Sequence, residues 1–247
     1  MRSTALIMGM PITVDVVGAG ADDPVGAAFR YFRDVDDRFS PFNPDSEVSA
    51  LNRGEPGTPL SSEMREILDL AADTSRETQG YFDVRRPDGH LDPSGLVKGW
   101  AIRNAARLIA GRGYTDYFVD AGGDIQCSGN NNAGKRWRIG IRNPFDARQS
   151  IKTLEPGNAG VATSGSYVRG AHIYNPHDPA DCLDHVVSIT VVAGDIYDAD
   201  RFATAAFAMG REGIAFIENT PGLEGYAIDR RGIATMTSGF KKIVAPC

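Results

Sequence analysis

The stretch Asp92-Pro93-Ser94-Gly95-Leu96-Val97-Lys98-Gly99-Trp100 runs without a break into an alanine-rich segment, and it constrains this chain more than any other. Pro93 and Gly95 impose a turn. Leu96, Ala101, Ala105, Leu108 and Ile109 then recur at helical spacing, so a loop opens onto a helix N-terminus. Such a terminus presents unpaired N–H groups and a partial positive charge, which favours acids nearby. Lys98 runs against that preference and points to an anionic partner. The competing reading is a solvated lysine beside an ordinary turn.

A chain of 247 residues suffices for one large domain or two small ones. With no internal repeat, low-complexity tract or interdomain linker in view, we expect one domain over residues 1–247. Net charge is −6 and the basic residues are scattered, which argues against nucleic acid as a general partner. Cys127, Cys182 and Cys247 show no metal-like spacing and do not form an even disulfide set, so they read as free thiols in a reducing compartment. The apolar run near the N-terminus is broken by Gly9, Pro11 and Asp15 and is followed by no small-residue cleavage site, so it reads as a strand. No run approaches the roughly 20 apolar residues that span a bilayer. The expectation is a cytoplasmic protein without a membrane anchor.

Residues 7–17 alternate as a strand interrupted at Gly9 and Pro11, where a bulge or a close approach to a ligand is expected. Residues 24–35 are helical in pattern. Asp45-Ser46-Glu47 resembles a cap for a short helix with Val48, Leu51 and Asn52. Ser61 opens a better helix, with Met64, Ile67, Leu68 and Ala71 on one face and Gly80 past its end. Residues 117–119 read as a strand entering Asp120-Ala121-Gly122-Gly123-Asp124, either a simple hairpin or a place where backbone passes close to a ligand. Residues 137–141 alternate as a strand. Residues 160–167 read as a small, hydroxyl-rich turn suited to phosphate oxygens, and residues 186–192 as a buried strand. Asp198 is expected to cap a helix closed by Gly210, with Asp200 and Thr204 four apart on one face. In the plainer alternative Asp200 complements the dipole and Thr204 bonds its own backbone. Residues 211–218 add a helix, and residues 226–229 and 233–237 a closing hairpin. These elements predict an α+β fold, a mostly antiparallel sheet with packed helices.

The ordered blocks Met8-Gly9, Ser46-Glu47-Val48-Ser49-Ala50-Leu51-Asn52, Gly80-Tyr81-Phe82-Asp83, Asp92 to Gly99, Gly122-Gly123-Asp124, Ala162-Thr163-Ser164-Gly165, His172-Ile173-Tyr174-Asn175-Pro176 and Asp200-Arg201-Phe202-Ala203-Thr204 resemble the FAD:protein FMN transferase family, the ApbE-like flavin transferases. The resemblance implies an ApbE-like, T-fold-like architecture. It also implies an enzyme that binds FAD with magnesium, cleaves the pyrophosphate, passes the FMN phosphate to a threonine or serine of an acceptor flavoprotein and releases AMP. By motif match, Met8, Phe42, Tyr81, Phe82 and Asp83 would line the flavin or adenine regions, and Asp92 and Lys98 would hold the ligand. The Gly95 carbonyl, Asp200 and Thr204 would ligate the metal, and Thr163, Ser164 and Tyr174 would complete the pocket.

Chemistry agrees with that implied site. Phosphoryl transfer needs positioning and charge neutralisation more than covalent help, and magnesium prefers oxygen ligands. His172, with an ordinary pKa near neutrality, is the candidate general base for the incoming hydroxyl. The chain departs from the family pattern in a short connection between Asp83 and Asp92, in Met10 and Phe42 where threonine and tyrosine are common, and in Arg201. Two other readings keep the same pocket: an FAD pyrophosphatase, in which water replaces the acceptor, and a non-catalytic FAD-binding carrier. A nicotinamide-dependent reductase lacks its Gly-x-Gly-x-x-Gly fingerprint. Self-modification at residues 229–235 would need a hydroxyl residue where Gly232 stands.

Overall fold

The computed structural model describes residues 1–54, 59–165, 173–178, 183 and 185–246. Its N-terminal segment is a hairpin, β1 (Arg2–Ile7) against β2 (Met10–Val16), and not the single interrupted strand expected over residues 7–17. Met8 and Gly9 both take positive φ, 55° and 69°. That two-residue turn twists with the strands and reverses the chain, so Gly9 marks a turn and not a bulge. A second glycine turn, Gly122-Gly123, joins β3 (Tyr117–Ala121) to β4 (Asp124–Ser128).

With β7 (Ala159–Gly165), β8 (Val186–Ala193), β9 (Glu224–Asp229) and β10 (Ala234–Met236), these strands form one antiparallel sheet in the order β1-β2-β3-β4-β7-β8-β9-β10. β5 (Ile139–Asn143) and β6 (Asp146–Leu154) make a separate two-stranded ribbon. The expected strand over residues 137–141 is thus displaced by two residues. β8 is apolar almost throughout because both faces of the sheet are covered there. On one side, α1 (Asp22–Phe39), α3 (Ser62–Glu77), α4 (Ser94–Ala110) and α5 (Ile196–Ala208) bury Phe32, Ile67, Ile102 and Ile196 against it. On the other, Ile139, Ile141 and Leu154 of the ribbon pack with Tyr226 and Phe240. The short helices α2 (Glu47–Asn52) and α6 (Gly213–Asn219) complete the α+β fold.

Two further expectations change. Residues 160–165 are extended in the interior of the sheet, where Thr163 Oγ1 meets Thr190 Oγ1 at 2.8 Å, so this hydroxyl-rich segment is a strand and not a turn. α5 begins at Ile196 and is capped by Asp195, whose carboxylate accepts the Asp198 N–H at 3.2 Å. Asp198 therefore lies inside the first turn. Gln126 Oε1 takes the Ile196 N–H at 2.8 Å, which fixes the start of α5 over β4. No helix among the described residues is long and apolar enough to cross a membrane.

Candidate functional site

α4 and α5 cross where α4 has no side chain. A Cβ on Gly99 would lie 2.8 Å from Asp200 Cβ and 3.1 Å from the Ile196 carbonyl oxygen, so only glycine admits this approach. In return the Gly99 N–H donates to Asp200 Oδ2 at 2.9 Å. That N–H is the one a regular helix aims at the Gly95 carbonyl. The crossing thus ties the Asp200 carboxylate to the first turn of α4. Thr204, one turn further along α5, comes to the same place: its Cγ2 is 3.9 Å from where a Gly95 Cβ would stand.

Lys98 finds its anions within the protein. Its ammonium pairs with Asp124 at the start of β4 and, at 3.1 Å, with Asp200 Oδ1. Both carboxylates are almost fully buried, Asp200 at 2% exposure and Asp124 at 4%. Asp124 Oδ1 also accepts the Thr163 N–H at 3.0 Å, which joins β4 and β7 beneath the site. Burial pushes the Asp200 carboxyl well above the ordinary carboxylate range. The Lys98 ammonium opposes that shift and the nearby Asp124 charge adds to it. Once both carboxylates are ionised, the two acids sharing one ammonium leave the trio one negative charge in excess.

Above this floor opens a cavity of about 200 Å³. Tyr81, Phe82 and Asp83 form one wall, Ile173, Tyr174 and Pro176 another, and Gly122, Asp124, Thr163, Ser164 and Gly165 the sheet side. Asp92, Ser94, Gly95, Lys98 and Thr204 border the helical side, and Arg86 stands with them. The two aromatic walls are joined outside the cavity. His177 Nε2 lies 2.9 Å from the Gln79 carbonyl, its ring meets Tyr81 edge-on at 4.5 Å, and the Tyr174 hydroxyl donates to the Arg85 carbonyl at 3.1 Å. The Tyr174 phenol is raised chiefly by burial.

Of the residues singled out in the sequence, Tyr81, Phe82, Asp83, Asp92, Gly95, Lys98, Thr163, Ser164, Tyr174 and Thr204 border this one cavity. Asp200 sits directly behind Lys98. Two others lie away from it. Phe42 is 93% exposed on the loop after α1, and Met8 occupies the β1–β2 turn, its N–H donating to Asp36 Oδ2 at 3.0 Å. His172 lies outside the described residues. Asp92 and Asp83 turn part of their hydrogen-bonding capacity inward: Asp92 Oδ1 accepts from Ser94 N–H and Oγ–H, and Asp83 Oδ1 from the Arg85 N–H.

Sequence reasoning did not single out Asp124 or Arg86 as site residues. For Asp124 the available signal was an acid directly after a glycine pair that read either as a hairpin or as backbone passing close to a ligand. Among the described residues, no cluster of three or more His, Cys, Asp or Glu side chains forms a metal cage. Gly95 and Thr204 border the cavity and Asp200 lies behind Lys98, so the donors on this side, a helix carbonyl, a hydroxyl and a carboxylate, are all oxygens, the kind a hard cation takes.

A family model described as the ApbE family matches residues 8–86 and 84–227. Among curated relatives, the FAD:protein FMN transferase of Vibrio cholerae (strain O395) is 36% identical over 142 residues, 53% of this chain and 42% of the relative. That of Escherichia coli K12 is 30% identical over 177 residues, 68% of this chain and 49% of the relative. The chain thus spans about half the length of these relatives or less. Among solved structures, the flavin transferase ApbE from Vibrio cholerae superposes with a TM-score of 0.85 at 25% identity, covering 98% of each chain. The ApbE protein of Thermotoga maritima superposes at 0.86 and 20% identity, covering 100% of this chain and 99% of the other, and speaks to the fold alone. With the family model matched over most of its length and the sheet and helices superposing throughout, this chain belongs to the ApbE family.

Proposed function

We propose that this chain is a single-domain, magnesium-dependent FAD:protein FMN transferase. It takes FAD, passes the FMN phosphate to a threonine or serine of an acceptor flavoprotein, and releases AMP. The observation that carries the reading is the buried Asp124–Lys98–Asp200 trio at the floor of an aromatic-walled cavity, with Thr204 and the Gly95 carbonyl beside it. That the relatives are FAD:protein FMN transferases supports it. We place the activity in the cytoplasm on the odd number of cysteines, three, of which Cys127 is a buried free thiol.

The oxygen donors fit magnesium: Asp200, Thr204 and the Gly95 carbonyl would hold it, and when bound it would supply charge neutralisation at the diphosphate. The chain's own residues do the rest. Tyr81, Phe82 and Tyr174 offer flat apolar surface to the ring systems. Lys98 holds the two carboxylates in a fixed arrangement, so no reorganisation is needed when charge develops beside them. Gly99 orients Asp200 through its N–H. His172 is assigned the proton of the incoming hydroxyl from its place in the sequence motif.

The test is to incubate the protein with FAD, magnesium and a candidate acceptor domain, reading the acceptor by mass spectrometry and AMP by chromatography. A covalent FMN adduct with equimolar AMP is expected. AMP and free FMN formed equally well without acceptor would replace the reading with a pyrophosphatase. Tight FAD binding with no AMP under any condition would replace it with a carrier.

A further inference from the structure

The connection between Asp83 and Asp92 is short, and it is built rigidly. Arg85 bridges Leu91 in antiparallel fashion, Asp92 N–H donates to the Val84 carbonyl at 2.7 Å and Arg86 N–H to the His90 carbonyl at 2.9 Å. Gly89, at φ +86°, closes the turn by donating to the Arg86 carbonyl at 2.8 Å. The base of this hairpin is pinned twice. The Asn52 side chain brackets Leu91, giving its Nδ2–H to the carbonyl at 2.9 Å and taking the N–H on Oδ1 at 2.8 Å. Tyr174 holds the Arg85 carbonyl from the other side. Arg86 is therefore fixed at the cavity mouth by its backbone, with its side chain among the lining groups.

Among the described lining groups, its charge is also the one left most open to a ligand. Among the described residues two basic side chains border the cavity, and of these Lys98 is shared between two buried carboxylates. Arg86 has only a long contact to Asp88, 3.7 Å between Nη2 and Oδ2, with both side chains more than half or about half exposed. A contact of that length and exposure holds an arginine weakly. The other charged groups at the mouth, Asp83 and Asp92, are acidic and would repel a diphosphate. A planar guanidinium with five donors is suited to bidentate binding of phosphate oxygens.

We infer that Arg86 is a binding residue of the pocket mouth that takes a phosphate of the dinucleotide's diphosphate, a contact supplied in this chain by the short 84–91 hairpin. The inference rests on the proposal that FAD is the ligand. It is tested by measuring the affinities of FAD, ADP, riboflavin and adenosine for the wild-type chain and for Arg86→Gln and Arg86→Lys, with thermal melts to check folding. Loss of a charge-assisted hydrogen bond should weaken FAD and ADP by ~10-fold or more in Arg86→Gln, with Arg86→Lys between the two. Riboflavin and adenosine, which carry no phosphate, should bind all three proteins alike. Equal weakening of all four ligands would mean that Arg86 only shapes the wall, and adenosine weakening as much as ADP would mean that it stacks on the base. Either result overturns the assignment, as does unchanged ADP binding. Wild-type protein that binds neither FAD nor ADP would overturn the transferase reading as well, whereas wild-type binding with an unaffected Arg86→Gln would overturn this inference alone.

Discussion

The α4–α5 crossing can be tested with one methyl group placed at two positions. In Gly99→Ala the new Cβ would meet Asp200 Cβ at 2.8 Å, Asp200 Oδ2 at 3.0 Å and the Ile196 carbonyl at 3.1 Å. Asp200 Cβ and the Ile196 carbonyl cannot swing aside, and Asp200 Oδ2 is held by the Gly99 N–H, so the helices must part. Overpacking of this kind costs about 1–3 kcal/mol. Parting the helices also stretches the 2.9 Å bond from Gly99 N–H to the carboxylate, for about 1.5–3 kcal/mol more. Alanine's better helix propensity returns up to about 1 kcal/mol. The net loss is about 2–5 kcal/mol, which in a chain of this size lowers Tm by roughly 4–20 °C. Gly95→Ala is the control. There the added Cβ finds Phe82 at 3.6 Å and Thr204 at 3.9 Å, ordinary contact distances, so Tm should stay put or rise slightly. Both variants are melted without metal or FAD, followed by circular dichroism at 222 nm. A Gly99→Ala protein that melts with the wild type, or a Gly95→Ala protein that falls as far, would refute the reading of this crossing as sterically closed at Gly99 and open at Gly95.

Four other outcomes follow from the same geometry. Asp200→Asn should abolish transfer and also change how stability depends on pH. Because the folded carboxyl is raised above its ordinary value of 3.8, the native state holds a proton that the unfolded chain has released, so this group's contribution is full below about pH 4 and is lost as pH rises towards neutrality. Urea midpoints at about pH 5 and pH 8 should therefore move in favour of Asp200→Asn at the higher pH, and a constant difference would count against the burial argument. Thr204→Val, of similar volume, should leave the melt nearly unchanged while raising the magnesium concentration needed for half-maximal transfer. Removing the metal should weaken FAD binding and, by linkage, removing FAD should weaken metal binding by the same factor; FAD titrations that superimpose in EDTA and in magnesium would exclude this coupling. Cys127 has no exposed surface, and burial pushes its thiol up to about 11. In a Cys182→Ser, Cys247→Ser background it should resist a thiol reagent at about pH 8 until the protein is unfolded.

Helices were legible wherever amphipathic spacing coincided with a cap. Ser46 and Ser61 both accept the N–H three residues on, as their sequence context indicates. The rule misplaced the start of α5 because two acids, Asp195 and Asp198, compete for the cap. The choice was made by contacts remote in sequence: Ile196 and Tyr197 are buried and Gln126 takes the Ile196 N–H. The turn expected over residues 160–167 failed for a related reason. Small hydroxyl residues read as a loop when taken alone, but Thr163 finds its partner in Thr190 across β7 and β8, a pairing no local window contains. Strand β6 escaped notice because eight of its nine residues, 146–153, are exposed or half-exposed, which leaves little apolar alternation to read.

The site was legible in its parts and misleading in one inference about charge. Lys98 against the helix dipole correctly indicated an anion nearby, and a bound ligand is the reading a single sequence invites. Two aspartates from β4 and α5, 26 and 102 residues further on, supply that anion instead. The consequence reverses the electrostatic role first suggested for Lys98. A lysine shared by two buried carboxylates does not present a net positive face to a phosphate; it lowers the cost of keeping both acids ionised where water is largely excluded. The excess negative charge of the trio makes the floor attractive to a cation and unattractive to a bare diphosphate. On the proposed reading, attraction for the diphosphate would come from a metal held by the oxygen donors and from Arg86 among the cavity's lining groups. On this arrangement Lys98→Met should not simply subtract one phosphate contact. It should leave two buried carboxylates facing each other unscreened, so that one takes up a proton, the cation site weakens, and affinity for FAD falls more in magnesium than in its absence.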